Sequence, residues 1–165
     1  MYKRQKRWVL KTDNRKLIII RPSVVYGIGS KSNMNRMIQH IKKRKFVMVG
    51  SGKNVKTVCF VENLVDFSLF VTNHMHNKIS IYNYADFPHL NMISLVTKIS
   101  KKLNRRILKL PFVFAFLIGL VFDTFSFISG KKLSFSSNRV IKFCNNTSLS
   151  TKKIESIGYK PKYNF

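Results

Sequence analysis

The residues best placed for chemistry follow the apolar run Ile18–Ile20. The segment Arg21–Gly27 comes directly after this run and closes on a glycine. A β-branched run of this kind is typical of a buried parallel strand, so the segment lies at the strand's carboxyl end. Open α/β sheets bind their ligands at that end. The pattern therefore predicts a ligand-binding site beside this segment.

Thiol and metal chemistry is not indicated by the cysteines and histidines. Cys59 and Cys144 lie far apart in apolar surroundings, which is typical of buried free thiols in a reducing compartment. No Cys/His cluster has the spacing of metal ligands. His74 and His76 lie two residues apart at the end of a predicted helix, and we expect no metal there.

The chain is strongly basic. It has 31 Lys and Arg against 6 Asp and Glu, and the net charge is +25. Such a balance favours anionic partners: nucleic acid, an acidic membrane surface or a phosphorylated substrate. The alternative interpretation is an AT-rich genome, which enriches Lys, Asn and Ile. Arg-Gly repeats, zinc-knuckle spacing and aromatic-flanked RNA-binding patterns are missing, so we expect no nucleic-acid partner.

Hydrophobic periodicity predicts alternating strands and helices, and hence an α/β fold. The first fifteen residues are polar and basic. The 165 residues, 45% of them apolar, suffice for one modest domain with a core. Strands are predicted at 16–21, 46–49, 56–61, 78–83 and 106–110, and helices at 33–44, 62–74, 91–103, 137–143 and 151–157.

A Phe-rich run occupies residues 110–128. No polar side chain occurs from 112 to 122, and Asp123 then interrupts the run. A membrane span needs about 20 apolar residues with few charges, so we predict a buried or interfacial helix here. Asp123 is either a buried polar contact or part of the water-facing side of such a helix. Lys131 and Lys132 follow Gly130, which fits a helix stop or a contact with lipid headgroups.

Four motifs occur in order along the chain: RPSVVYG at 21–27, GSG with KTVCFVENLV at 50–65, IYN at 81–83 and IGYKP at 157–161. Together they resemble the C-terminal half of the extended short-chain dehydrogenase/reductases, the NAD-dependent sugar epimerases and dehydratases. Segments 46–54, 130–133 and 136–144 are similar to polysaccharide-cluster sugar 4-epimerases. Some of these act on N-acetylglucosamine carried on undecaprenyl diphosphate.

The resemblance implies the C-terminal part of a Rossmann-type parallel sheet plus a small, mostly helical substrate-binding domain. Residues 1–15 are then an N-terminal remnant, 16–83 the end of the Rossmann domain with interleaved substrate-binding segments, and 84–165 a substrate-binding or lid region. It also implies an enzyme of surface (O-antigen) polysaccharide synthesis, cytoplasmic and homodimeric at full length. Peripheral contact with the inner face of the membrane is expected through 110–128.

The resemblance implies NAD as cofactor, a Tyr/Lys pair four residues apart as acid and base, and a glycine-rich turn for the cofactor phosphates. No Gly-x-x-Gly-x-x-Gly pattern precedes residue 16. Tyr2 and Lys6 have the Tyr-x-x-x-Lys spacing, but Tyr2 lies closer to Arg21 than in the family. Residues 1–5 also match a translated transposase adapter from sequencing libraries, and we interpret them as artefactual. We therefore name no catalytic residue and expect an inactive fragment.

Seven residues receive implied roles. Pro22, Ser23, Val24 and Val25 match the segment that packs against nicotinamide and sugar, although ordinary strand-to-loop structure explains them equally. Lys56 matches a position where many members hold the substrate diphosphate with Arg, whose bidentate fork Lys lacks. A solvated edge-strand lysine is the alternative there. Asn33 and Arg36 follow the substrate loop and are candidate contacts to sugar or phosphate.

The implied substrate is a nucleotide sugar or a polyprenyl-diphosphate-linked sugar. Two other functions stay open at this point. One is a hydroxysteroid-dehydrogenase-like oxidoreductase of the same superfamily. The other is a small cationic protein that binds a membrane surface or nucleic acid, whose binding would collapse with salt.

Overall fold

The structure is a computed structural model that describes residues 2–74, 77–131, 133 and 135–164. The chain divides into two compact units. The first comprises Met1–Met34, Thr57–Pro88 and Leu149–Asn164, and the second Asn35–Lys56 and His89–Ser148. The elements are α1 (Lys3–Leu10), β1 (Leu17–Pro22), β2 (Val24–Tyr26), α2 (Asn33–Lys42), β3 (Val47–Val49), β4 (Val58–Phe60), α3 (Val61–His74), β5 (Ile79–Tyr84), α4 (Met92–Lys102), β6 (Leu108–Leu110), α5 (Phe112–Ser129), α6 (Ser137–Cys144) and α7 (Lys152–Ser156).

The first unit contains two parallel strand pairs. Strand β1 pairs with β5 from Leu17↔Ile79 to Pro22↔Tyr84, and β2 pairs with β4 from Val24↔Val58 to Tyr26↔Phe60. Alternate residues of β5 are buried, which is the period-two pattern of a strand with one face in a core. Helix α3 connects β4, in one strand pair, to β5, in the other.

Aromatic rings from α3, from β5 and from the segment after α7 form the core of the first unit. The ring of Phe67 in α3 stacks on Tyr84 with centroids 4.7 Å apart and meets Tyr82 edge-on at 5.6 Å. Tyr159, which follows α7, packs edge-on against the same ring at 5.0 Å. These side chains are buried together with Cys59, Val71 and Ile154. The last of the four motifs, at 157–161, therefore contributes Tyr159 to the core that packs against β5.

The second unit is built around the short parallel pair of β3 and β6, with register Val47↔Leu108 to Val49↔Leu110. Helix α4 is capped by Asn91, whose side chain accepts a hydrogen bond from the Ser94 N–H at 2.8 Å. Gly52 has φ +67°, and a Cβ there would lie 2.8 Å from Ile93 Cβ and 3.1 Å from its backbone nitrogen. The GSG turn thus needs glycine for its backbone angle and for its close approach to α4.

The α/β class and the parallel pairing are confirmed, and the second unit is mostly helical, as the resemblance implies. The predicted strands and helices all occur, with shifted ends. The boundaries predicted at residues 15 and 83 stay a prediction. Two elements were not predicted: helix α1, which buries only Val9, and strand β2, which is three residues long. Helix α1 is mostly polar and basic, with Trp8, Val9 and Leu10 as its large apolar residues, and β2 is too short to show a strand pattern.

Of the two alternatives predicted for the Phe-rich segment, a buried or an interfacial helix, the structure contradicts the buried one. Helix α5 runs to Ser129 and is capped by Gly130 in the left-handed conformation. By length and composition it is the one helix among the described residues that could cross a membrane, and only 11% of it is buried. Cys144 also departs from the prediction, because it is half-buried, whereas Cys59 is fully buried.

Candidate functional site

The segment predicted to bind a ligand joins two strands in the first unit. Pro22 ends β1 and Val24 begins β2, and both are exposed. Between them, the Ser23 N–H donates to the Tyr84 carbonyl at 2.8 Å, which holds the segment against the end of β5. The Ser23 hydroxyl is buried and has no hydrogen-bond partner among the described residues. An apolar surface with a buried, unpaired hydroxyl is suited to a ligand that carries a polar group.

A half-buried carboxylate lies at the carboxyl end of β5 in the same unit. Asp86 accepts hydrogen bonds from the Phe60 N–H at 2.7 Å, from the Asn63 side-chain amide at 3.0 Å and from the Tyr84 hydroxyl at 3.3 Å. Burial raises the pKa of Asp86, and these three donors oppose the rise. The sequence reasoning missed this residue, although an acidic residue directly after a strand's carboxyl end was a usable signal.

The Asn63 side chain extends this network to the C-terminal segment. Its amide nitrogen donates to the Tyr163 carbonyl at 2.8 Å, and its amide oxygen accepts from the Tyr163 N–H at 2.9 Å. The Tyr159 hydroxyl lies 3.1 Å from the Asn63 carbonyl and 3.0 Å from an Asp66 carboxylate oxygen. These contacts tie the chain end to α3, so the network is structural.

Two further ionisable groups in this unit are held protonated. Burial raises the pKa of the Cys59 thiol to about 12, with a smaller contribution from Asp86. Burial likewise raises the pKa of the Tyr26 hydroxyl above its usual range. Neither group can act as a base near neutral pH, since the charged form is desolvated in both.

Lys56 lies in the second unit and is not a freely solvated lysine. Its ammonium Nζ donates to the Lys142 carbonyl and to the Thr147 hydroxyl, each at 3.0 Å. Burial lowers the pKa of Lys56, while the nearby Cys144 opposes that change. The Lys142 carbonyl belongs to the last turn of α6, where a cation is favoured. Lys56 is therefore not the solvated edge-strand lysine of the alternative interpretation. It is a half-buried cation with two hydrogen-bond acceptors within the second unit.

Asn33 and Arg36 are exposed in the first turn of α2. Three residues apart on a helix, they share a face. The structure thus groups Pro22, Ser23, Val24 and Val25 in one segment and Asn33 with Arg36 on one helix, and it places Lys56 beside α6. The implied roles of all seven residues stay predictions.

No group of three or more His, Cys, Asp or Glu able to hold a metal ion occurs in the part of the chain that the structure describes. His74 ends α3, where its ring stacks on Phe70 with centroids 4.4 Å apart and its Nδ1 lies 2.9 Å from the Phe70 carbonyl. His76 lies outside the described residues. The contacts of His74 are those of a helix end.

Comparison with known proteins gives a family match over the first half of the chain. The family described as "NAD dependent epimerase/dehydratase family" matches residues 3–85. A protein of Escherichia coli O157:H7, N-acetyl-alpha-D-glucosaminyl-diphospho-ditrans,octacis-undecaprenol 4-epimerase, is 38% identical over 151 residues. That match covers 90% of this chain and 46% of the relative, so the chain spans about half the relative's length.

Two solved structures share the fold at low identity. The human epimerase family protein SDR39U1, crystallised with NADPH, is 17% identical with a TM-score of 0.64, over 92% of this chain and 46% of its own. The UDP-glucose 4-epimerase of Thermus thermophilus, crystallised with NAD, is 11% identical with a TM-score of 0.59. The match covers 99% of this chain and 47% of the epimerase chain. Parallel strand pairs, the four ordered motifs and the match over residues 3–85 agree, and the chain belongs to the NAD-dependent epimerase/dehydratase family.

Proposed function

We propose that this chain forms the substrate-binding part of an NAD-dependent 4-epimerase that acts on N-acetylglucosamine linked to undecaprenyl diphosphate. The observation that carries the proposal is the 38% identity with the Escherichia coli 4-epimerase of that name over 90% of the chain. The proposed setting is surface polysaccharide synthesis in the cytoplasm, at the inner face of the membrane, by a homodimer.

The residues at the end of β1 fit NAD as the cofactor. Pro22 and Val24 offer exposed apolar surface, and the buried Ser23 hydroxyl offers an unused donor and acceptor to an amide or a sugar hydroxyl. Bound NAD supplies the hydride acceptor that a 4-epimerase needs. In this proposal the chain's own residues orient that group and exclude water from one side of it.

Lys56 is the proposed contact for the substrate diphosphate. An ammonium is a point charge that attracts phosphate without the bidentate geometry of arginine. The two acceptors at 3.0 Å use two of its three N–H donors and hold the ammonium in place. The third donor is available to a phosphate oxygen.

Catalysis is proposed to require more chain than residues 1–165. Residues 6–165 contain neither a Tyr-x-x-x-Lys pair nor a Gly-x-x-Gly-x-x-Gly pattern, the two motifs that the family uses for proton transfer and for the cofactor phosphates. We expect residues 1–165 alone to be inactive. The protein expressed from the intact open reading frame is the one to assay.

The test is a substrate comparison with that protein and NAD. We expect undecaprenyl-diphosphate N-acetylglucosamine to be converted to the N-acetylgalactosamine epimer, measured by chromatography of the sugar after mild acid release. Conversion of UDP-N-acetylglucosamine but not of the lipid-linked sugar would refute the lipid-linked assignment. Oxidation of a hydroxysteroid instead of either sugar would favour the alternative oxidoreductase.

Replacing Lys56 tests the diphosphate contact. We expect Lys56→Met to raise KM for the lipid-linked sugar roughly tenfold and to change kcat little, since one charge-assisted contact is lost. Lys53→Met is the matched control, because Lys53 is exposed in the neighbouring turn. Equal KM values for the two variants, both with wild-type circular dichroism, would remove Lys56 from the proposed site.

A further inference from the structure

Helix α5 exposes apolar side chains on most of its circumference. Phe127 is 90% exposed, Ile128 83% and Val121 66%, and eight more large apolar residues of the helix are at least 39% exposed. The helix has 18 residues, and Asp123 is its one charged residue. Soluble monomers rarely leave so many neighbouring large apolar side chains in water, which points to a partner that covers this surface.

The contacts of α5 with α6 follow one narrow stripe. Ala115 and Gly119 are buried, and Asp123 continues the stripe one turn later. Gly119 approaches so closely that a Cβ there would lie 2.6 Å from the Ser137 backbone nitrogen. The Asp123 carboxylate accepts hydrogen bonds from the Ser137 N–H at 3.0 Å and from the Ser137 hydroxyl. Of the two sequence-based alternatives for Asp123, the polar contact is the observed one.

These contacts define an antiparallel hairpin, here called the α5–α6 hairpin (residues 112–144). Both Phe112, which begins α5, and Cys144, which ends α6, lie against Gly50. Residues 119–123 of α5 lie against the start of α6, so the last turns of α5, up to Ser129, extend past that start. The projecting end carries the most exposed side chains, Phe127 and Ile128.

The returning arm of the hairpin is basic. Lys131, Arg139 and Lys142 are exposed on it. In the second unit as a whole, 35–56 contains seven Lys or Arg and 89–148 contains ten, against the single acidic residue Asp123. Asp123 is already paired with Ser137. An apolar projection on a unit of this charge is complementary to a bilayer with anionic headgroups.

The same charge disfavours a second copy of the chain as the cover. Two such units brought face to face would place like charges together with hardly any acidic residues to compensate them. A full membrane span is also disfavoured. The hairpin returns to Gly50 at its far end, so a span would draw the charged returning arm through the hydrocarbon core.

We propose that the α5–α6 hairpin inserts into one leaflet of an anionic bilayer. The projecting end of α5 then lies among the acyl chains, and Lys131, Arg139 and Lys142 lie among the headgroups. This inference rests on the proposed function only for the substrate, a sugar linked to a lipid, and it adds how the enzyme reaches that lipid. A hairpin at that depth holds the enzyme where an undecaprenyl chain is dissolved.

The test is flotation of the protein with vesicles of phosphatidylcholine containing about 30% phosphatidylglycerol. We expect the protein from the intact open reading frame to float with these vesicles. The double variant Phe127→Glu with Ile128→Glu should bind at least roughly tenfold less, because two charges are placed at the inserted end. The matched control is Val65→Glu with Leu69→Glu on α3, where the side chains are 55% and 61% exposed.

Equal flotation of the two double variants would overturn the proposal. Failure of the wild-type protein to float would also overturn it. Light scattering would then show whether a second copy covers α5. In that case the protein would be a dimer that the Phe127→Glu/Ile128→Glu change dissociates. Activity is assayed separately in detergent micelles. Vesicle binding without epimerase activity would refute the proposed function and leave the insertion standing, and the reverse result would refute the insertion alone.

Discussion

At the scale of the single residue, Asp86 shows how one half-buried carboxylate organises the first unit. Its two oxygens accept hydrogen bonds from β4, from α3 and from β5, through Phe60, Asn63 and Tyr84. The main-chain contact at 2.7 Å matters most, because a buried N–H without an acceptor is costly. Asp86 therefore joins β4, the helix α3 that directly follows it, and the end of β5.

Replacing Asp86 by Asn should destabilise the protein by about 1–3 kcal/mol, because an amide has one acceptor oxygen, so its NH2 group must face either the Phe60 N–H or the Asn63 amide and leave that donor unpaired. The measurement is the free energy of unfolding in denaturant. Asp13→Asn makes the same chemical change at a fully exposed side chain and should have almost no effect. Similar losses in the two variants would show that the Asp86 contacts contribute nothing specific.

The raised pKa of Asp86 has a definite sign in the pH dependence of stability. The folded state binds this proton more tightly than the unfolded chain, so the stability associated with protonated Asp86 is lost as pH rises through the folded pKa. We expect this component to fall with pH from about 3.8, the ordinary value of the group, upwards. The measurement is the free energy of unfolding of the wild-type protein and of Asp86→Asn as a function of pH, from acid to neutral. The variant should lack this pH-dependent component. A wild-type profile parallel to that of the variant would contradict the assignment.

At the scale of the element, the α5–α6 hairpin depends on backbone contact. Gly119 lets α5 approach the start of α6, and Asp123 then satisfies the Ser137 N–H at a helix start. A carboxylate is favoured at a helix N-terminus, since unpaired N–H groups are concentrated there. Two residues one turn apart thus hold a helix that is otherwise almost unsupported.

Gly119→Ala should loosen the hairpin, although alanine favours an isolated helix by about 1 kcal/mol over glycine. The added Cβ would lie 2.6 Å from Ser137 N and 2.7 Å from Ser137 Cα, so the two segments must separate. Hydrogen exchange of the α6 amides should become faster. Leu120→Ala is the control, because Leu120 is exposed on the same helix. Unchanged α6 exchange in Gly119→Ala would mean that the hairpin tolerates the separation.

At the scale of the whole molecule, charge is unevenly distributed between the two units. The first unit holds five of the 6 acidic residues, and the second holds only Asp123. The second unit also carries the exposed helix α5, so its apolar and its cationic surfaces occur in the same compact body. Attraction to an anionic surface and apolar insertion should therefore act together there.

Salt should separate these two contributions. Between about 50 mM and about 500 mM salt, screening weakens the attraction between lysine and headgroup, whereas apolar insertion is not weakened. We expect wild-type binding to anionic vesicles to fall only a few-fold, and the residual binding of Phe127→Glu/Ile128→Glu to be lost. Complete release of the wild-type protein by salt would indicate purely electrostatic adsorption, with α5 outside the bilayer.

The sequence by itself determined the α/β class, the order of the elements and the family, because periodicity, turn residues and short motifs such as RPSVVYG are local properties. It could not show the partner of Asp123 or the network around Asp86. Those contacts join residues 14 and 23 to 26 positions apart, and no local pattern encodes them.

The Phe-rich helix shows most clearly what the sequence alone could not determine. Its composition predicted an apolar helix, and that prediction is confirmed. Whether such a helix is buried depends on which other elements pack against it, since an all-apolar segment has no preferred face of its own. Only the tertiary structure decided that α5 contacts α6 along one stripe and exposes its other faces. Gly119 packs against the start of α6, and Asp123 accepts a hydrogen bond there. Among the described residues of the second unit, nothing else covers the projecting end of α5.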